Sequence, residues 1–176
     1  IFLLDFINEK KNNGFIIDLL IMDSNKKRLK EAKRSSKILG INFLESSGTF
    51  NLKDGFFYKK FIEIPIKLRN IIQKYNYVFS PMIEGGHQDH DTISAALILL
   101  FENFNLKKKL FLYPCYRSLL KIPFLYRCGN LKNKYLDKQI VYKKSKKYFL
   151  TFINIILNAY VSQFFSWLFL LPAVII

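Results

Sequence analysis

The chain has 176 residues, 51% of them hydrophobic, and a formal charge of +15 at pH 7. That length supports one domain with a real core and argues against two. The charge draws nucleic acid, acidic lipid and charged glycan alike, so by itself it selects no partner. Its lysines are spread over residues 26–37, 107–109 and 132–147, without the glycine and aromatic signature of an RNA-binding sheet or a zinc-finger spacing. No specific nucleic-acid module is therefore expected, and each run reads as solvated surface. Cys115 and Cys128 form no Cys-x-x-Cys pair, and a chain this size needs no staple, which points to a reducing, cytoplasmic setting. The chain starts with Ile, and its first residues show no basic region followed by an apolar core, so no signal peptide is expected to be read there.

Leu3, Leu4, Phe6 and Ile7 repeat at helical spacing and Asn12-Asn13-Gly14 stops them, so the first element reads as the tail of a helix. Residues 15–22 form a nearly continuous apolar run, as a central strand of a parallel sheet requires. Asp23-Ser24-Asn25 offers N-cap residues, and residues 26–39 follow as a basic helix with Leu29, Ala32, Ser36 and Leu39 inward and Gly40 at its end. A short strand at 41–44 leads to a polar loop over 45–60. Pro65 opens a helix with Leu68, Ile71, Ile72 and Tyr75 on its core face, and residues 77–79 return to strand. A buried helix over 93–100 and a strand over 109–113 complete the alternation. The expected fold is α/β, a Rossmann-like three-layer sandwich with a mostly parallel sheet whose first strand is missing from the chain.

Residues 116–139 read as loop with room for a short hairpin. Residues 148–176 carry no charge, which raises a membrane span. Thr151, Asn154, Asn158, Ser162 and Ser166 nevertheless make one polar stripe, as on an apolar helix packed against a soluble domain. A membrane-peripheral surface is the secondary expectation for this tail.

Both histidines of the chain fall in Glu84-Gly85-Gly86-His87-Gln88-Asp89-His90-Asp91, where a strand hands over to a helix. In an open α/β sheet that is the usual place for a ligand crevice. A histidine at a helix start can bind zinc through a neutral ring nitrogen, while a carboxylate orients a second histidine that donates a proton or steadies an oxyanion. Glu84 and Gly86 join the candidate substrate-binding residues because the glycines let backbone approach a ligand closely. On spacing alone, an Asp91 cap beside a surface histidine explains the same residues.

The stretch Pro81-x-x-Glu84-Gly85-Gly86-His87-Gln88-Asp89-His90-Asp91 resembles the His-x-Asp-His signature of the PIG-L or LmbE-like zinc-dependent N-deacetylases. Arg28-x-x-Glu31 with Leu39-Gly40 resembles that family's Arg-x-x-Glu helix, and Tyr160-x-Ser162-Gln163 its late Tyr-x-Ser-Gln segment. The resemblance implies zinc, an N-acetylated amino sugar of the N-acetylglucosamine type as substrate, and a hydrolase that releases acetate in glycan biosynthesis. It implies His90 as zinc ligand, His87 as the catalytic residue at the oxyanion or leaving amine, Asp89 as the partner orienting His87, and Arg28 at the substrate. The family's first signature, His-Pro-Asp-Asp, is absent, and Asp5 and Asp18 cannot replace it. The preferred expectation is a chain that begins just after that motif, an N-terminally incomplete single domain over 1–176 whose own activity is open. The rival is a degenerate, metal-free relative serving as a basic binding or membrane-surface interaction protein.

Overall fold

A computed structural model of the chain describes residues 3–105, 109–115, 117–118, 126–127 and 146–164. It is α/β, with five α-helices among these residues. Contacts gather into two compact units, Ile1–Asn51 with Leu131–Leu171 and Leu52–Asn130 with Pro172–Ile176.

In the first unit, helix α1 (Leu4–Asn12) ends where the notched Asn-Gly sequence demands, with Gly14 at a φ of +80°. Strand β1 (Asp18–Leu19) and strand β2 (Asn42–Phe43) pair in parallel, Asp18 opposite Asn42, across helix α2 (Lys26–Leu39). The bounds of α2 follow from its caps. Asn25 accepts from the backbone N–H groups of Lys27 and Arg28, and Gly40 takes the left-handed conformation, φ 61°, that closes the last turn. Strand β1 is far shorter than the apolar run containing it, and Ile16 is 82% exposed. Apolar residues alone do not make a central strand: among the described residues β1 pairs with one strand, β2, only two residues long.

Helix α5 (Lys146–Asn158) packs on α1 and α2; its Phe152, Ile155 and Ile156 are buried, as are Leu4 of α1 and Ala32 of α2. Its polar stripe faces outward, where the Asn158 amide donates to the Asn154 side-chain oxygen at 2.6 Å. The helix stops at Asn158, and a 3-10 turn follows over Val161–Gln163. The expected helical continuation over 165–176, with Ser166, lies outside the described residues. Among the described residues no helix is long and apolar enough to cross a membrane.

The second unit repeats the strand–helix–strand plan. Strands β3 (Val78–Pro81) and β4 (Leu110–Tyr113) pair in parallel with Phe79 opposite Phe111, and helix α4 (Gln88–Asn103) connects them. Helix α3 (Glu63–Ile72) and a 3-10 turn over Phe57–Lys60 pack on α4. Ile64, Leu68, Ile72, Leu97, Leu100 and Phe101 are the buried center. Strands β5 (Arg117–Ser118) and β6 (Tyr126–Arg127) form a short antiparallel hairpin. Among the described residues the parallel strands occur as two short two-stranded sheets, β1 with β2 and β3 with β4.

Candidate metal centre

Helix α4 begins at Gln88, five residues before the apolar periodicity that announces it. Its first turn is made of polar residues. His87 is the N-cap, its Nδ1 accepting from the Asp89 backbone N–H at 3.3 Å. Asp89 and Asp91 in the first turn sit favourably against the positive end of the helix dipole.

The two aspartates have separate structural tasks. Asp91 accepts from the backbone N–H groups of Glu84 at 2.9 Å and Gly85 at 3.0 Å, folding the glycine loop back on the helix. Gly85 has a φ of +69°, which its lack of a Cβ makes easy. Glu84 is tied to the end of β4, its Oε2 accepting from the Cys115 N–H at 2.9 Å. Gly86 is exposed at the tip of the loop.

Asp89 is only 3% exposed. A buried carboxylate needs donors, and the loop before α3 supplies them: Gly55 N–H at 2.5 Å and Phe57 N–H at 3.1 Å. The Gln88 amide completes the dock by donating to the Gly55 carbonyl. This clamp carries Asp54 to the helix terminus, where its Oδ1 lies 3.9 Å from His87 Nε2. Asp54, His87 and Asp89 each present a ligand atom, all within 4.8 Å of one another. They form the one such group of metal-binding side chains among the described residues.

One imidazole and two carboxylates are a nitrogen and oxygen donor set that suits zinc and other first-row divalent ions. An ion about 2.0–2.2 Å from nitrogen and oxygen ligands can bridge a 3.9 Å gap. Asp54 is exposed, and Asp89 keeps lone pairs beyond the two its backbone donors use. The residues therefore fit a divalent metal without singling out its identity. His87 Nδ1 accepts from the Asp89 N–H, and its Nε2 is turned towards Asp54.

His90 stacks on His87, ring centroids 4.7 Å apart and planes 29° apart. Burial pushes its pKa below the ordinary value, the neighbouring His87 adds to that, and Asp89, Asp91 and Asp54 oppose it. The ring is therefore neutral at pH 7. His90 stands beside the three-residue group and outside it.

Sequence reasoning assembles His87, Asp89, His90 and Glu84 at one strand-to-helix junction, and the structure brings them there. The contact that orients His87 comes from the Asp89 backbone N–H, while the Asp89 carboxylate is anchored on the loop. Asp54 has one signal in the sequence, the Asp54-Gly55 turn dipeptide, which marks a turn and no ligand.

Arg28 belongs to the first unit. There the two remaining motif segments meet: Glu31, 4% exposed, accepts from Ser162 N–H at 2.9 Å and Ser162 Oγ at 2.8 Å. Burial raises the Tyr160 pKa, Glu31 raises it further, and Arg28 works in the opposite direction.

Compared with known proteins, the chain matches no family model, no curated protein and no solved structure.

Proposed function

We propose that the chain is a zinc-dependent N-deacetylase acting on an N-acetylated amino sugar, with the metal at the N-terminus of α4. The observation that carries this reading is the convergence of Asp54, His87 and Asp89 within 4.8 Å, with a second imidazole stacked alongside. The Rossmann-like sandwich is proposed from the alternation of helices and strands along the sequence, and the substrate class from the resemblance. Asp54, His87 and Asp89 would hold the ion. Zinc, when bound, supplies a Lewis acid for an amide carbonyl and lowers the pKa of water.

The protein's own residues do the rest. Asp89, fixed by two backbone donors, keeps the Asp54 loop seated on the helix. His90, half-buried, would take the proton of the water that attacks the acetyl carbonyl and pass it to the amine as the C–N bond breaks and acetate leaves. The exposed Gly86 backbone and Glu84, which the Cys115 N–H holds, line the approach for the sugar.

A second reading exchanges the histidines. His90 is the metal ligand and His87 the proton carrier, favoured by the sequence signature and by the pairing of the two rings. Zinc retained after dialysis and acetate released from an N-acetylglucosamine glycoside test the proposal. Under the first reading His87→Ala loses zinc and activity, whereas His90→Ala keeps zinc and loses activity. The reverse pattern establishes the second, and a protein that neither retains zinc nor releases acetate defeats both.

A further inference from the structure

Residues 57–72 are right-handed helical throughout. A 3-10 turn over Phe57–Lys60 passes through Phe61 (φ −50°, ψ −43°) and Ile62 (φ −72°, ψ −32°) into α3. The inner face belongs to the core, with Phe57, Ile64, Leu68 and Ile72 buried. A surface helix should then be polar on its outer face. This one is not, since Tyr58, Ile62 and Ile66 follow at four-residue spacing and are 50%, 76% and 68% exposed. Phe56 adjoins them, its ring centroid 6.4 Å from that of Tyr58, with the ammonium groups of Lys53 and Lys59 over its face.

Cations ring this strip. Residues 53–74 contain six lysines and arginines against two carboxylates, Asp54 and Glu63, so the surface around the apolar side chains is net positive. Lys60 and Lys67 share Glu63, at 3.6 and 3.5 Å, and Asp54 faces His87. Lys53 and Lys59 are exposed at Phe56, while the Arg69 guanidinium lies over the Phe104 ring, 4.2 Å from its centroid. Apolar side chains in the middle and lysines at the rim complement an anionic bilayer, which offers acyl chains to the first and phosphates to the second.

We propose that the outer face of the 57–72 helix docks on an anionic phospholipid surface. Ile62 and Ile66 enter the boundary between headgroups and acyl chains, Phe56 and Tyr58 lie at headgroup level, and Lys53 and Lys59 meet lipid phosphates. The docking stands whether or not a metal binds at Asp54.

Sedimentation of the full chain with phosphatidylcholine vesicles, with and without phosphatidylserine, tests it. The chain is expected to pellet with phosphatidylserine vesicles. Ile62→Ser and Ile66→Ser each weaken binding at least about tenfold, and Lys53→Gln and Lys59→Gln each weaken it about fivefold. These side chains point outward, so the melting transition stays in place. Leu157→Ser with Val161→Ser, which alters a different exposed apolar surface, leaves binding unchanged. Three results overturn the proposal: no binding, equal binding to phosphatidylcholine alone, or undiminished binding by the Ile62→Ser/Ile66→Ser protein.

Discussion

Among the described residues, each compact unit has a buried carboxylate that holds a segment distant in sequence, Glu31 in the first and Asp89 in the second, but the two are left with different neighbours. Glu31 in the first unit accepts from Ser162 N–H and Oγ, and so closes the turn after α5 onto α2. Asp89 in the second accepts from Gly55 and Phe57, and so closes a loop onto α4. Beside Glu31 stands Tyr160, a phenol that burial keeps protonated. Beside Asp89 stand two imidazoles and an exposed carboxylate, groups that offer lone pairs to a ligand. The same clamp therefore makes a structural joint in one unit and a candidate site in the other.

Breaking the clamps is the strongest way to test that contrast. Asp89→Ala strands two backbone donors at about 1–3 kcal/mol each and also loses favourable charge at the helix start, about 0.3–1 kcal/mol. Metal binding should disappear with it. Glu31→Ala, which strands one backbone N–H and one hydroxyl, is expected to be somewhat milder and to leave metal binding intact. Hydrogen exchange resolved by peptide, with zinc uptake on the same proteins, checks both. Zinc loss in Glu31→Ala would erase the distinction.

These clamps also mark the limit of what the sequence discloses. The bounds of α2 were legible because Asn25 and Gly40 cap it by local chemistry. The junction carrying His87 was legible because an apolar run, two glycines and a buried helix follow in order. Helix α4 starts earlier than its periodicity because a polar first turn, His87 to Asp91, makes no apolar stripe. Glu31 in a lysine-rich helix looks like a solvated charge, and only its tertiary partner Ser162 explains its burial. Asp54 was hidden for the same reason: the contact delivering it runs between Asp89 and backbone N–H groups, which no side-chain pattern encodes. The apolar run over 15–22 overstated β1, since ladder length depends on the partner strand.

A smaller effect follows from His90. Its folded-state pKa is lowered by burial, so the unfolded chain binds a proton more readily. Stability is then full above the ordinary value of 6.5 and declines as pH falls below it. His90→Gln should flatten the urea midpoint of the second unit across that window, with the first unit unaffected. A midpoint that rises on acidification would contradict the assigned burial.

Smallest is Gly55→Ala. Its Cβ meets nothing within 4 Å, so only the φ of +81° opposes it. A loss of about 1 kcal/mol in thermal unfolding is expected, with the Asp89 clamp retained. A larger loss would mean that the loop cannot keep its seat on α4.

The most direct test of the account is a zinc titration of the unmodified protein beside Asp54→Asn, a change at an exposed side chain that leaves both clamps in place. One zinc per chain is predicted for the unmodified protein, with affinity falling in Asp54→Asn by more than the roughly 10–100-fold typical of losing an outer-shell partner. Equal affinity in the two proteins would contradict the assignment of the metal to Asp54, His87 and Asp89.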